Sequence, residues 1–377
     1  MSAPKLSTRL CDILEVEYPI CLAGMGGRWT PPELVAAVSE AGGLGVMGGT
    51  GMEVEALRNR IRRVRELTDR PFGVDLLLPV VTGSVETGGD RGRPESQFEA
   101  VRRQYPRHAA FVDTLIDEFG LEKADPPEPG ETGLALARKQ VEMILEEDVA
   151  VFAAALGDPA WVVPMAREKG VKVMGLVGSV RNAHRQVAAG VDIIVAQGTE
   201  AGGHTGRIAT MPLVPQVVDA VSPLPVVAAG GIANGRGIAA SLALGAEGAW
   251  MGTAFLAAKE CGIYDAQQET IINGRSEDFI ISRSYTGKTA RQYQGPIVQA
   301  WENSGLDTLP MPLQGILMSG FNASAERSKR YDLIFNPAGQ GAGMVNEARP
   351  AADIMTDLVS ETVSALNGMR ERISVGA

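Results

Sequence analysis

The chain has 377 residues, 45% hydrophobic and 21% charged, with 45 glycines against 9 Phe, 6 Tyr and 4 Trp, enough apolar material for one large barrel or two medium domains. A formal net charge of -10 and a pI near 5.0 argue against nucleic acid or an anionic membrane surface as the main partner. Three cysteines without a CxxC pair argue against a disulfide framework, and three dispersed histidines, none near a cysteine, argue against a metal site.

The N-terminus lacks an apolar signal core and no apolar run approaches a membrane span, so a soluble cytoplasmic protein is expected. Short apolar runs then alternate with amphipathic segments. Residues 19–23 read as a first strand and 31–40 as a helix with Thr30 as N-cap. Residues 44–47 form a second strand, 53–67 a charged helix and 72–78 a third strand. Helical periodicity over 134–147 leads to a fourth strand at 149–155. A helix at 159–169 capped by Asp158, a fifth strand at 172–177 and a helix at 179–189 follow. The sixth strand is 191–196, with a helix at 213–221. The seventh is 226–229, with a helix at 236–244, and the eighth is 248–252.

These runs are apolar on both faces apart from Asp75 and the leading Lys172 and Asp192, as buried parallel strands are. Eight of them with helical crossovers predict a (β/α)8 TIM barrel, with an open doubly wound sheet as runner-up. Two insertions break the rhythm after strands 3 and 8. The expected organisation is a barrel over 1–253 with 81–133 inserted, a lid or substrate wall over 254–350, and a closing barrel helix within 351–377. Both insertions leave the C-terminal ends of strands, the face that carries active sites in barrels. The plainer reading makes one of them decoration.

Three motifs lie on that face. In AAGGIANGRGIAASLALGAEGAWMGTAF one strand ends in Gly230-Gly231 and the next in Gly252-Thr253. Their backbone N–H groups can face one anion, with the helix beginning near Asn234 adding positive potential. Two ordinary Gly-rich turns are the plainer reading. In VAQGTEAGGHTG a buried strand ends at Gln197, which both donates and accepts, and a small-residue loop carries His204, a candidate acid, base or anion partner. In PICLAGMGG, followed by AGGLGVMGG, Gly24, Met25 and Gly26 leave the first strand as backbone able to line a flat ring. Cys21 reads as packing. Asp75 is a lone carboxylate in an apolar strand, which either faces a pocket or pairs with an internal cation. In RSYTGKTARQYQ, Arg283, Lys288 and Arg291 are either anchors for an anionic substrate or nicotinamide phosphate, or a solvated basic face.

PICLAGMGG, AGGLGVMGG, PFGVDLLLP, QGTEAGGHTG, the long glycine-rich segment from Val227 to Phe255 and the closing helix together resemble the nitronate monooxygenase family, formerly called 2-nitropropane dioxygenases, over nearly the whole chain. The resemblance implies FMN at the C-terminal face of a barrel. Gly24, Met25 and Gly26 would lie near the ring, Gln197 and Gly202 would contact FMN, and Gly230, Gly231, Trp250, Met251, Gly252 and Thr253 would hold its phosphate. His204 matches the family's active-site histidine. Asp75 stands where the family usually has Asn and is counted with the cofactor contacts, although an anion beside N1 of a reduced flavin is unfavourable. A single anion cradle with no GxGxxG unit for an ADP half predicts FMN rather than FAD.

The implied chemistry is oxidation of alkyl nitronates, and by extension nitroalkanes, by oxygen to carbonyl compounds and nitrite. Alternatives on the same scaffold are an NAD(P)H:quinone reductase and an enoyl-thioester reductase. A barrel holding a phosphate ligand without flavin is the alternative of another class. A small-molecule substrate and oxygen are the expected partners, and a homodimer is compatible with them.

Overall fold

The computed structural model describes residues 5–78, 89–90, 93–94, 96–126 and 133–373. Most of the polar Gly-rich loop expected near 82–96 lies outside the described residues. Eight parallel strands form the centre: β1 Ile20–Leu22, β2 Gly45–Gly48, β3 Phe72–Leu77, β4 Val151–Ala155, β5 Lys172–Val177, β6 Ile193–Gln197, β7 Val226–Ala229 and β8 Gly248–Met251. Each pairs in register with its neighbours, and β8 pairs with β1. A parallel bridge between Cys21 and Leu44 joins β1 to β2. There Leu44 N–H donates to Ile20 O and Leu22 N–H to Leu44 O, both at 2.9 Å. That bridge closes the ring and rules out the open sheet.

Side chains alternate across the strands, as the two-residue period requires. Cys21, Val46, Val151, Ala153, Met174, Ile193, Val195, Val227, Ala229 and Trp250 pack inside the barrel. The intervening residues, among them Leu22, Phe72, Val74, Phe152, Ile194 and Met251, pack against the outer helices. The helix Val54–Leu67 illustrates the outer layer: Leu57, Ile61 and Val64 recur at helical spacing and are fully buried.

A short N-terminal helix, Arg9–Leu14, was not expected. It plugs the N-terminal end of the barrel with Leu10 and Leu14, burial worth about 1.5–3 kcal/mol for each side chain. Gly248 makes room for it, because a Cβ there would come within 2.5 Å of Leu10 Cδ2.

The two insertions share one core. Helices Gln97–Gln104 and Pro106–Glu118 from the first meet Pro296–Asn303 and Leu313–Arg327 from the second. Val101, Val112, Leu115 and Ile116 bury against Trp301, Leu317, Met318 and Phe321. Gly320 lets the helices approach, since its Cβ would sit 2.7 Å from the Phe98 ring. The two insertions therefore form one packed unit and not two separate ones. The final helix, Ala351–Arg372, packs against the helix Gly235–Ala243 that follows β7 and the helix Pro32–Glu40 that follows β1.

Candidate active site

The β1 turn is held over the C-terminal mouth. Thr30 donates its hydroxyl to Met25 O at 2.8 Å and accepts from Gly48 N–H at 2.9 Å. Thr30 is therefore a tie between the turn and β2. It is not the expected helix cap, a position that Pro31 occupies. Gly48 and Gly24 permit the close packing: a Cβ on Gly48 would overlap Met25 backbone, and one on Gly24 would overlap the Cβ of Asp75.

Asp75 lies in register with Gly48 on one side and Ala153 on the other. Ala153 packs inside the barrel, so Asp75 also points inward, at the mouth. It is 7% exposed and its Oδ1 has no hydrogen-bond partner. Burial pushes its carboxyl up to about 8. The sequence left a pocket and an internal cation as equal readings, and among the described residues no cation pairs with Asp75.

Gln197 ends β6 and donates from Nε2 to His204 O at 2.8 Å. Gly203 and His204 form a two-residue strand paired with Arg291 and Ala290, so the second insertion returns as an antiparallel ribbon, Phe279–Ser282 and Ala290–Tyr293, onto this loop. The His204 ring nitrogen Nε2 lies 3.1 Å from Thr286 Oγ1. Burial, followed by repulsion from Lys288, pulls the imidazole down to about 4. His204 is therefore neutral at pH 7. Lys288 is half-buried and lowered by desolvation, and its ammonium has no carboxylate partner among the described residues.

The other two cations are placed differently. Arg291 is buried and donates to Thr199 O from Nε and Nη2 at 3.1 and 3.0 Å and to Phe279 O from Nη1 at 2.6 Å. It clamps the ribbon to the β6 loop. Arg283 is exposed and donates to Gly287 O. Replacing Arg291 with Met would orphan two carbonyl groups, each loss costing about 1–3 kcal/mol. A clear fall in melting temperature is expected, and an unchanged one would show the clamp contributes nothing.

Beside this loop, at the end of β7, Gly230 and Gly231 turn with φ of 97° and 71°, values that L side chains adopt at a cost. Among the described residues no backbone carbonyl accepts from the N–H of Gly231, Gly252 or Thr253. Thr253 Oγ1 accepts from Gly339 N–H at 2.9 Å, leaving its own proton to donate. These groups offer donors and no charge to one anion. The helix Gly235–Ala243 contributes less than expected: Asn234 Oδ1 takes Gly237 N–H and Glu361 Oε2 takes Gly235 N–H. Trp250 faces the barrel interior, whereas Met251 faces the outer helices and gives its carbonyl to Ala23 N–H. The Met251 side chain therefore points away from the mouth and its carbonyl is already bonded, against the expectation that it holds the phosphate.

One contributor was missed. The stretch 336–344, NPAGQGAGM, lies against the same turns. Gln340 N–H donates to Glu200 O at 2.9 Å, and a Cβ on Gly202 would fall 2.7 Å from Ala338. Its three glycines in five residues were the available signal, hidden by the assignment of the whole insertion to a lid. Cys21 is buried inside the barrel with its thiol pushed up to about 12, which suits packing and not nucleophilic attack. Among the described residues there is no cluster able to hold a metal and no helix long and apolar enough to cross a membrane.

The family model for nitronate monooxygenase matches residues 7–361. The chain belongs to the nitronate monooxygenase family. A Mycobacterium tuberculosis protein named as a monooxygenase, Rv1533, is 39% identical over 97% of this chain and 100% of its own length. A Staphylococcus aureus protein named as a nitronate monooxygenase is 33% identical over 94% of this chain and 96% of its own. Among solved structures, nitroalkane oxidase from Streptomyces ansochromogenes matches with a TM-score of 0.78 and 31% identity, covering 96% of this chain and 99% of that one. FabK from Thermotoga maritima matches with a TM-score of 0.75 and 31% identity, covering 98% and 100%. The chain is thus a flavin oxidoreductase, of a family named for the oxidation of nitro compounds.

Proposed function

We propose that this nitronate monooxygenase family member binds FMN and oxidises preformed alkyl nitronates with oxygen to carbonyl compounds and nitrite. The observation that carries this reading is the neutral His204 at the barrel mouth beside Lys288, which has no carboxylate partner among the described residues. Lys288 supplies the counter-charge for an anionic nitronate, and a half-buried cation is screened less than a surface one. His204 orients a nitro oxygen or the adjacent carbon without adding a second positive charge. Gln197 fixes the His204 backbone. The Gln197 amide oxygen and Asp75 are the polar groups for a heterocycle edge.

The N–H groups of Gly231, Gly252 and Thr253 and the Thr253 hydroxyl fit one phosphate, and Gly24 to Gly26 supply a flat backbone wall. Bound FMN would supply the electron acceptance that none of these side chains provides.

The NAD(P)H-dependent alternatives need an anchor for a nucleotide phosphate. Of the three cations offered for that task, Arg291 is occupied inside the protein and Arg283 is exposed and bonded to its own turn. The test is direct. Purified protein is expected to be yellow, to release FMN and not FAD on heating, and to bleach anaerobically with nitronate and not with NADH or NADPH. Colourless protein that takes up no FMN would return the site to the non-flavin reading. Bleaching by NADH or NADPH alone would return it to the reductase reading.

A further inference from the structure

We propose that Asp75 is a proton-linked ligand of the cofactor: it binds as the neutral carboxylic acid, donating its O–H to an acceptor on the ring, so that its ionisation releases the cofactor. The inference rests on the flavin reading above and concerns a residue to which that reading gives no protonation state.

The geometry carries it in three steps. Asp75 points into the barrel mouth from β3, between Gly48 and Ala153, with the Gly24 turn packed on its Cβ. The strands in register with it, Gly45–Gly48 on β2 and Val151–Ala155 on β4, and residues 23–27 of the turn packed on it carry no titratable group, the nearest on that segment being the Cys21 thiol inside the barrel and Arg28, which donates to Gly262 O. Within its own strand Phe72–Leu77 no other residue is charged. Lastly, Oδ1 has no partner in a site where buried polar atoms are normally bonded. An unpaired buried carboxylate is costly, whereas a carboxylic acid is one donor beside one acceptor. That is the hydrogen-bonding pattern of a primary amide, and it matches a ring edge that alternates carbonyl and N–H groups.

Desolvation alone raises the carboxyl to about 8, so the donor form dominates at neutral pH and is lost above it. For a ligand that requires the protonated form, the ratio of apparent Kd between pH 9 and pH 7 is then about 10-fold. At pH 9, binding also draws close to one proton from the buffer.

The experiment titrates FMN into flavin-free protein at pH 7, 8 and 9, following quenching of flavin fluorescence. Calorimetry at pH 9 in two buffers of different ionisation enthalpy counts protons. The wild type is expected to weaken about 10-fold from pH 7 to 9 and to take up about one proton at pH 9. Asp75→Asn keeps a donor that does not titrate: it should bind within a few-fold of wild type at pH 7, stay flat to pH 9 and take up no proton. Asp75→Leu, with no donor, should bind about 10-fold more weakly at pH 7 and also stay flat. Circular dichroism of each variant checks folding. A flat wild-type profile, the same fall in Asp75→Asn, or Asp75→Leu binding as tightly as wild type at pH 7 would each overturn the inference while leaving the flavin reading intact. Absence of FMN binding to wild type at every pH would overturn the flavin reading, and this inference with it.

Discussion

Gly231→Asp is expected to strip the flavin from the protein, raising the Kd for FMN at least about 100-fold. Gly231 turns at φ 71°, and its N–H has no backbone acceptor among the described residues. An aspartate there would place a carboxylate against the anion that those donors face. Two like charges about 4 Å apart repel by about 4 kcal/mol at a partly solvated site, which exceeds the 2.7 kcal/mol or so that 100-fold represents. The nearby carboxylate of Glu200 does not spoil the site in the same way. It is already bonded by the N–H and hydroxyl of Thr210, at the N-terminus of the helix Thr210–Val221, where a negative charge is favoured. Gly231→Ala separates charge from shape. Its Cβ would lie 3.2 Å from Glu200 Cβ, a crowding that a small shift relieves, so a loss of about 10-fold or less is expected. Flavin fluorescence titration gives both constants. Full flavin occupancy in folded Gly231→Asp would move the phosphate site elsewhere.

The barrel was legible because parallel strands buried on both faces leave a simple trace, short apolar runs between amphipathic helices. Its strand boundaries came within one or two residues, as with residues 191–196 expected and Ile193–Gln197 observed, whereas the helices expected from 159 and 213 begin at Val163 and Thr210. The strand-end turns were legible for a local reason too, since glycine pairs directly follow β7 and β8. What was illegible depends on distance in sequence. Nothing near Leu10 announces that it fills the barrel's lower end, because that contact exists only when the ring closes. Thr30 reads as a cap from its neighbours alone, but Gly48 and Met25 claim its hydroxyl first. Arg291 and Lys288 are three residues apart in one basic motif. The antiparallel ribbon then points one into carbonyl groups and leaves the other beside His204. The contribution of 336–344 is hidden for the same reason, since its glycines meet Thr253 and Glu200 only after the second insertion has folded back. Asp75 was visible as an anomaly, and its orientation needed the register with Ala153.

At pH 7 the enzyme is expected to consume a preformed alkyl nitronate at least about 100-fold faster, in kcat/KM, than the parent nitroalkane. Deprotonating a neutral nitroalkane requires a base, and His204 is the residue the sequence offers for that task. A placed base typically contributes about 10²–10⁴-fold, most effectively when its pKa lies near the working pH. Burial and Lys288 hold the His204 imidazolium near 4, so the neutral ring is present but is a weak base. The same pair suits a substrate that arrives as an anion, because Lys288 has no carboxylate to answer its charge among the described residues. The nitronate needs no proton removed and gains a counter-ion. His204→Asn should therefore cost nitronate turnover no more than about 10-fold, with FMN still bound. Lys288→Met should raise the nitronate KM about 10-fold or more, with kcat changed less, the pattern of lost uniform binding. The pH profile separates the roles further. The nitroalkane rate should rise with pH as solution ionisation supplies nitronate, with no plateau set by a group near pH 4 to 6. Freshly dissolved nitroalkane and pre-equilibrated nitronate, compared by initial oxygen uptake in wild type and both variants, give all of these values. Equal kcat/KM for the two forms in wild type, with a loss confined to nitroalkane in His204→Asn, would restore His204 as the catalytic base and show that bound substrate raises its basicity.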